Sequence, residues 1–116
     1  IGRGGTHITA ADAPAHVFGY AVGLDMTRRD LQNEMKKLGR PWCIGKGFEQ
    51  SAPIGPIVPV ARSGVLSRGA QLSVAWALRP GDLIFTGTPA GVGAVQRGAL
   101  MAGRIDGLGS LRVKVV

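Results

Sequence analysis

The sequence predicts a β-rich α+β domain with one well-marked helix. Three observations carry this. Short apolar stretches alternate with glycine and proline punctuation; a single stretch, near residues 28–38, has helical spacing; and the last seven residues, SLRVKVV, alternate apolar and polar side chains. A chain of 116 residues that is 45% apolar suffices for one small domain. Its 19 glycines stand in short groups and point to tight turns rather than long helices.

The elements follow in order. Residues 16–24, HVFGYAVGL, read as a mostly buried strand that ends on a lone acid, Asp25. Thr27 has the chemistry of an N-cap, and Asp30 places an acid in the first turn of the helix that follows. Leu31, Met35 and Leu38 share one face of that helix at i, i+4 and i+7. Gly39 suits the position after its end, and Pro41 prevents its continuation. Residues 41–60 hold four prolines and three glycines among apolar side chains, which predicts an ordered loop packed on the core, extended near Ile57–Val60. Residues 71–78 suggest a short helix, RPGD at 79–82 a turn, Leu83–Thr86 a short strand, and GTPAGVG at 87–93 a glycine-rich loop. Residues 95–105 and 110–116 form two further strands joined through DGLG at 106–109.

The net charge is +7. Arg28, Arg29, Lys36, Lys37 and Arg40 cluster on the helix, but Asp30 and Glu34 interrupt them and no aromatic is interleaved. That pattern fits a solvated helix face or capture of a small anion better than a nucleic-acid surface. The lone cysteine, Cys43, excludes an internal disulfide and suits a reducing, cytoplasmic compartment, where it reads as a small buried residue. No apolar run approaches the roughly 20 residues of a membrane helix. The opening IGRGGTH has neither an initiator Met nor a signal-peptide layout, so the chain is expected to begin inside a longer protein.

Few residues carry chemistry on local pattern alone. TGTPAGVG lacks the Lys-Ser/Thr ending of a phosphate-binding P-loop, though it presents backbone N–H groups with the Thr86 and Thr88 hydroxyls. His7 and His16 are not spaced as a metal pair and read as surface or internally satisfied histidines. Lys46, flanked by glycines near Trp42, Ile44 and Phe48, is either a partly desolvated cation in need of a carboxylate or an exposed loop lysine. Asp25 is either a turn residue or one ligand of a hard metal, which needs several oxygens.

Three long segments decide between these alternatives. GYAVGLDMTRRDLQ resembles the GYTxxNDVSARDxQ motif of the fumarylacetoacetate hydrolase family, GKGFEQSAPIGP its GKSFDTFxPxGP, and LRPGDLIFTGTPAGVG its LxPGDxIxTGTPxGVG. They occur in the family's order. The resemblance implies a mixed β-sandwich roll with one short helix after the first strand. It implies Mg²⁺, Mn²⁺ or Ca²⁺ as cofactor, with Asp25 as a metal ligand, Lys46 as the catalytic lysine, and Gln32 and Thr88 as substrate contacts. The implied reaction is hydrolysis of a carbon–carbon bond in an acylpyruvate, a 1,3-diketo acid of fumarylpyruvate type; the alternatives are decarboxylation, tautomerisation or hydration of a related keto acid, or an inactive basic module. The implied partners are a small anionic keto acid and a second copy of the chain, with no nucleic acid or membrane.

Two departures from the family pattern stand out. The E-x-E metal-ligand pair and the His–Glu pair that activates water belong upstream of IGRGG, and this sequence starts after them. Family members also carry about thirty more residues between SRGA and the region before LRPGD, placing a missing segment near Ala70 and Gln71. The 116 residues are thus expected to form a partial catalytic domain.

Overall fold

The computed structural model describes residues 1–64 and 77–116. The elements run as a 3₁₀ turn at Ala13–His16, then β1 (Gly19–Tyr20), α1 (Arg29–Lys37), α2 (Cys43–Lys46), β2 (Val58–Pro59), α3 (Val60–Ser63), β3 (Leu100–Ile105) and β4 (Gly109–Lys114). β1 pairs with β2 and β3 with β4, both antiparallel. The mixed α+β class and antiparallel pairing agree with the sequence.

The C-terminal hairpin is the clearest element. Met101 lies opposite Val113 and Gly103 opposite Leu111, and these four are half-buried while their neighbours along each strand face solvent. Period-two burial of this kind is what a sheet with one covered face requires. A Cβ on Gly103 would sit 3.1 Å from Val22 and 3.7 Å from Leu24 side-chain atoms, so the hairpin lies directly on the segment leading to Asp25. The turn needs Gly107, at φ +80°, where a side chain would collide with the Ser63 carbonyl at the end of α3.

Helix α1 forms where the spacing places it, and Gly39 takes the left-handed conformation at φ +63° beyond its end. Met35 is buried, but Leu38 is 53% exposed, so the covered face is narrower than the i, i+4, i+7 pattern implies. Thr27 does not cap the helix. Arg28 occupies the N-cap with no side-chain hydrogen bond, and the Thr27 hydroxyl accepts from the Lys46 ammonium instead.

Several expected elements differ. The strand expected over 16–24 is divided: His16 closes the 3₁₀ turn, β1 is two residues long, and Gly23 pairs with Ile54 in a separate antiparallel bridge. The loop at 41–60 is ordered and holds α2 and β2, as its apolar content requires, and Val60 starts α3 rather than extending β2. Leu83–Thr86 is not a strand; its backbone makes no hydrogen bond to any described residue. The RPGD turn forms, with the Asp82 carboxylate accepting from Arg79 N at 2.7 Å. Cys43 is exposed, not buried, because it starts a one-turn helix on the surface. His16 is buried and its Nδ1 is paired with the Arg3 carbonyl at 2.9 Å, a satisfied core histidine. The helix expected at 71–78 and the junction at Ala70–Gln71 lie outside the described residues, apart from Ala77 and Leu78. Leu78 packs with Ile8 and Ala13 in a small core.

Candidate active site

Residues 22–26 run antiparallel to residues 51–55. Gly55 N donates to Val22 O at 2.8 Å, Leu24 N to Pro53 O at 3.0 Å, and Met26 N to Ser51 O at 2.8 Å. This short ladder holds Asp25 at its end. The chain then turns into α1, and α2 packs across the start of α1. Arg28 N donates to Gly45 O at 2.9 Å, and a Cβ on Gly45 would lie 3.0 Å from Gln32 N and 3.2 Å from Arg28 O. Only a residue without a side chain lets the two helices approach so closely.

That approach brings Lys46, at the end of α2, over the Asp25–Thr27 corner. Its ammonium donates to Asp25 Oδ1 at 2.5 Å, Thr27 Oγ1 at 3.0 Å and the Met26 carbonyl at 3.3 Å. An ammonium has three N–H donors, so all are used and Nζ is fixed in place. The Lys46 and Asp25 side chains remain 35% and 38% exposed, leaving both open to a small molecule from solvent. Of the two alternatives for Lys46, the structure shows the lysine with a carboxylate partner.

Gln32 sits one turn into α1 on the side that Gly45 touches, and its Oε1 accepts a hydrogen bond from the Arg29 guanidinium. The Arg28 guanidinium lies 4.6 Å from the centroid of the Phe48 ring, tying the loop after Lys46 to the helix start. The fold thus gathers Asp25, Lys46 and the backbone of Gln32. Thr88 stands in the exposed glycine-rich loop and makes no hydrogen bond to a described residue. Thr27, the Met26 carbonyl and Gly45 belong to the site and were not singled out as such by the sequence pattern. The available signals were the spacing of Thr27 two residues beyond Asp25 and the glycine immediately before Lys46.

A dication requires several oxygen ligands. Among the described residues no group of three or more His, Cys, Asp or Glu side chains could hold one. Asp25 alone, with an ammonium on its carboxylate, does not make a metal site, so these residues by themselves do not fit the divalent ion that the family resemblance implies.

Residues 1–69 and 65–116 match the family described as fumarylacetoacetate (FAA) hydrolase C-terminal. The chain is 37% identical to a fumarylpyruvate hydrolase of a Ralstonia species over 142 residues, covering 99% of this chain and 73% of that protein. It is also 37% identical to the mitochondrial oxaloacetate tautomerase of Rattus norvegicus, covering 99% of this chain and 64% of the relative. The crystal structure of fumarylpyruvate hydrolase from Pseudomonas aeruginosa, in complex with Mn²⁺ and pyruvate, superposes with a TM-score of 0.91 at 50% identity, covering all of this chain and 61% of that one. The chain therefore spans between about three fifths and three quarters of the length of these relatives.

Proposed function

The chain belongs to the fumarylacetoacetate hydrolase family, in its C-terminal domain, and from that premise we propose that the protein carrying it hydrolyses a carbon–carbon bond of an acylpyruvate, with Lys46 as its catalytic cation. Water adds to the acyl carbonyl, the bond from that carbon to the neighbouring carbon breaks, and its electron pair passes into the keto acid as an enolate. Proton uptake then gives pyruvate beside a carboxylic acid. The enolate oxygen carries the developing charge, and a fixed ammonium beside it stabilises the transition state more than the ground state.

The observation that supports this is the threefold anchoring of Lys46 Nζ, with Asp25 Oδ1 at 2.5 Å. The Met26 carbonyl, at 3.3 Å, is its longest contact and the one a substrate oxygen would displace most readily. Gln32 and Thr88 are assigned to hold the substrate by hydrogen bonds. Asp25 is assigned as one carboxylate of an Mg²⁺ or Mn²⁺ set that needs further ligands. A bound dication would supply Lewis-acid polarisation of the substrate carbonyls; among the described residues Asp25 is the carboxylate that would contribute to holding it. A small anionic keto acid as substrate, a cytoplasmic location and a homodimer complete the proposal. The +7 charge favours capture of such an anion.

Similarity to an oxaloacetate tautomerase at the same 37% identity supports a second possibility, proton transfer on a keto acid without bond cleavage. Two assays on the full-length protein with Mn²⁺ separate them: loss of fumarylpyruvate with release of pyruvate, and enol-to-keto conversion of oxaloacetate. Fumarylpyruvate cleavage abolished by Lys46→Met supports the hydrolase. Oxaloacetate tautomerisation with no cleavage overturns it in favour of the second.

A further inference from the structure

Arg28 borders the corner that Lys46 occupies, and the reaction proposed above gives it no task. It directly follows Thr27, whose hydroxyl accepts from Lys46 Nζ at 3.0 Å. Its own main-chain N–H donates to Gly45 O at 2.9 Å, which fixes its backbone against the residue before Lys46. The side chain then reaches Phe48, two residues after Lys46, and its guanidinium carbon lies 4.6 Å from the ring centroid. Phe48 is half-buried and Arg28 is exposed. The ring therefore braces one face of the guanidinium beside the Lys46 corner and leaves the side chain open to solvent.

The charges around Arg28 are already matched or neutral. Lys46 is paired with Asp25, and the Arg29 guanidinium donates to the neutral Gln32 amide. Asp30 and Glu49 are near Arg28 and Phe48 in sequence, but among the described residues Arg28 has no carboxylate partner. A guanidinium held flat with its N–H edge unpaired is preorganised for bidentate capture of a carboxylate. The segment GYAVGLDMTRRDLQ also carries Arg28 where the motif GYTxxNDVSARDxQ has alanine. A side chain at this position can set which acyl group is accepted without altering Asp25, Lys46 or Gln32.

We propose that Arg28, braced on Phe48, is a specificity-determining residue that binds a second carboxylate at the far end of the substrate's acyl half. The proposal rests on the acylpyruvate reading and deepens it. Every acylpyruvate has a carboxylate on its keto-acid half, the half whose enolate oxygen Lys46 stabilises. A fumaryl group adds another at the opposite end, whereas an acetyl group ends in a methyl. A guanidinium beside Lys46 pairs with the first and is left without a partner by the second. A site with a polar group committed to one substrate discriminates against the analogue that lacks the matching group.

Two experiments on the full-length, Mn²⁺-loaded protein test this. The first is calorimetric binding of fumarate and of crotonate, which has a methyl group in place of fumarate's second carboxylate. Fumarate should bind about tenfold or more tightly than crotonate, and Arg28→Met should abolish that preference. The second compares cleavage of fumarylpyruvate and acetylpyruvate. Arg28→Met should lower the ratio of their kcat/KM values about tenfold or more, chiefly through KM for fumarylpyruvate, because the distal carboxylate is held alike in ground and transition states. Arg28→Lys, which keeps the charge without the planar fork, should restore part of the ratio. An equal loss with both substrates would make Arg28 structural and overturns the proposal. So does a fumarate preference that is absent from the unaltered protein or persists in Arg28→Met. Cleavage of neither substrate by the unaltered protein would remove the hydrolase reading, and the binding comparison then decides the role of Arg28 by itself.

Discussion

Gly45 and Gln32 are in backbone contact: a methyl group on Gly45 would stand 3.0 Å from the Gln32 nitrogen and 3.2 Å from its Cα. This contact sets the separation of α1 and α2, and hence the reach of Lys46 to Asp25. Gly45→Ala should push the helices apart, weaken the Arg28 N to Gly45 O bond, and cost about 1–3 kcal/mol. Denaturant unfolding measures the loss. An unchanged midpoint would show that the helices tolerate a wider spacing.

Gly107 and Gly109 both have positive φ, at +80° and +89°, but their surroundings differ. A Cβ on Gly107 meets the Ser63 carbonyl, whereas one on Gly109 meets nothing within 4 Å. Gly109→Ala should cost about 1–2 kcal/mol from backbone strain alone. Gly107→Ala should cost about 2 kcal/mol more, because the collision also lifts the hairpin from α3. Equal effects in thermal unfolding would show that the contact with Ser63 contributes nothing.

The Lys46–Asp25 pair is more than one-third exposed on both sides. An exposed pair contributes about 0–1 kcal/mol to stability. Asp25→Asn should therefore leave unfolding almost unchanged while loosening the fixed position of Nζ. A loss above about 2 kcal/mol would mean that the pair is structural.

Asp25 is the carboxylate that the Lys46 ammonium meets, and among the described residues no group of three or more metal-ligating side chains forms. Calorimetric titration should find at most millimolar Mn²⁺ binding to the 116-residue chain. A full-length protein with the remaining ligands should bind far more tightly and lose that affinity with Asp25→Ala. Tight, Asp25-dependent binding by the chain alone would show that the other ligands lie within these residues.

Local physics made some elements legible in the sequence. The hairpin follows from alternation, and the end of α1 follows from Gly39, whose left-handed backbone the structure shows. The long motifs imply by resemblance that Asp25 and Lys46 share a site, and the two side chains are in contact. What local pattern missed depends on tertiary contacts. Thr27 has capping chemistry, but an ammonium 21 positions beyond Asp25 in sequence takes its hydroxyl. Leu83–Thr86 has strand composition, but a strand forms only with a neighbour, and none of the described residues supplies one. Thr88 has a role on resemblance alone; no hydrogen bond to a described residue joins its exposed loop to Lys46.

The most direct measurement is the steady-state kinetics of fumarylpyruvate cleavage by the full-length protein, compared between Lys46 and Lys46→Met. With the ammonium acting on charge that develops only in the transition state, kcat should fall about 100- to 1,000-fold while KM changes far less. An unchanged kcat with a raised KM would reduce Lys46 to a substrate-binding cation. An unchanged kcat and KM would remove it from the reaction and contradict the proposed site.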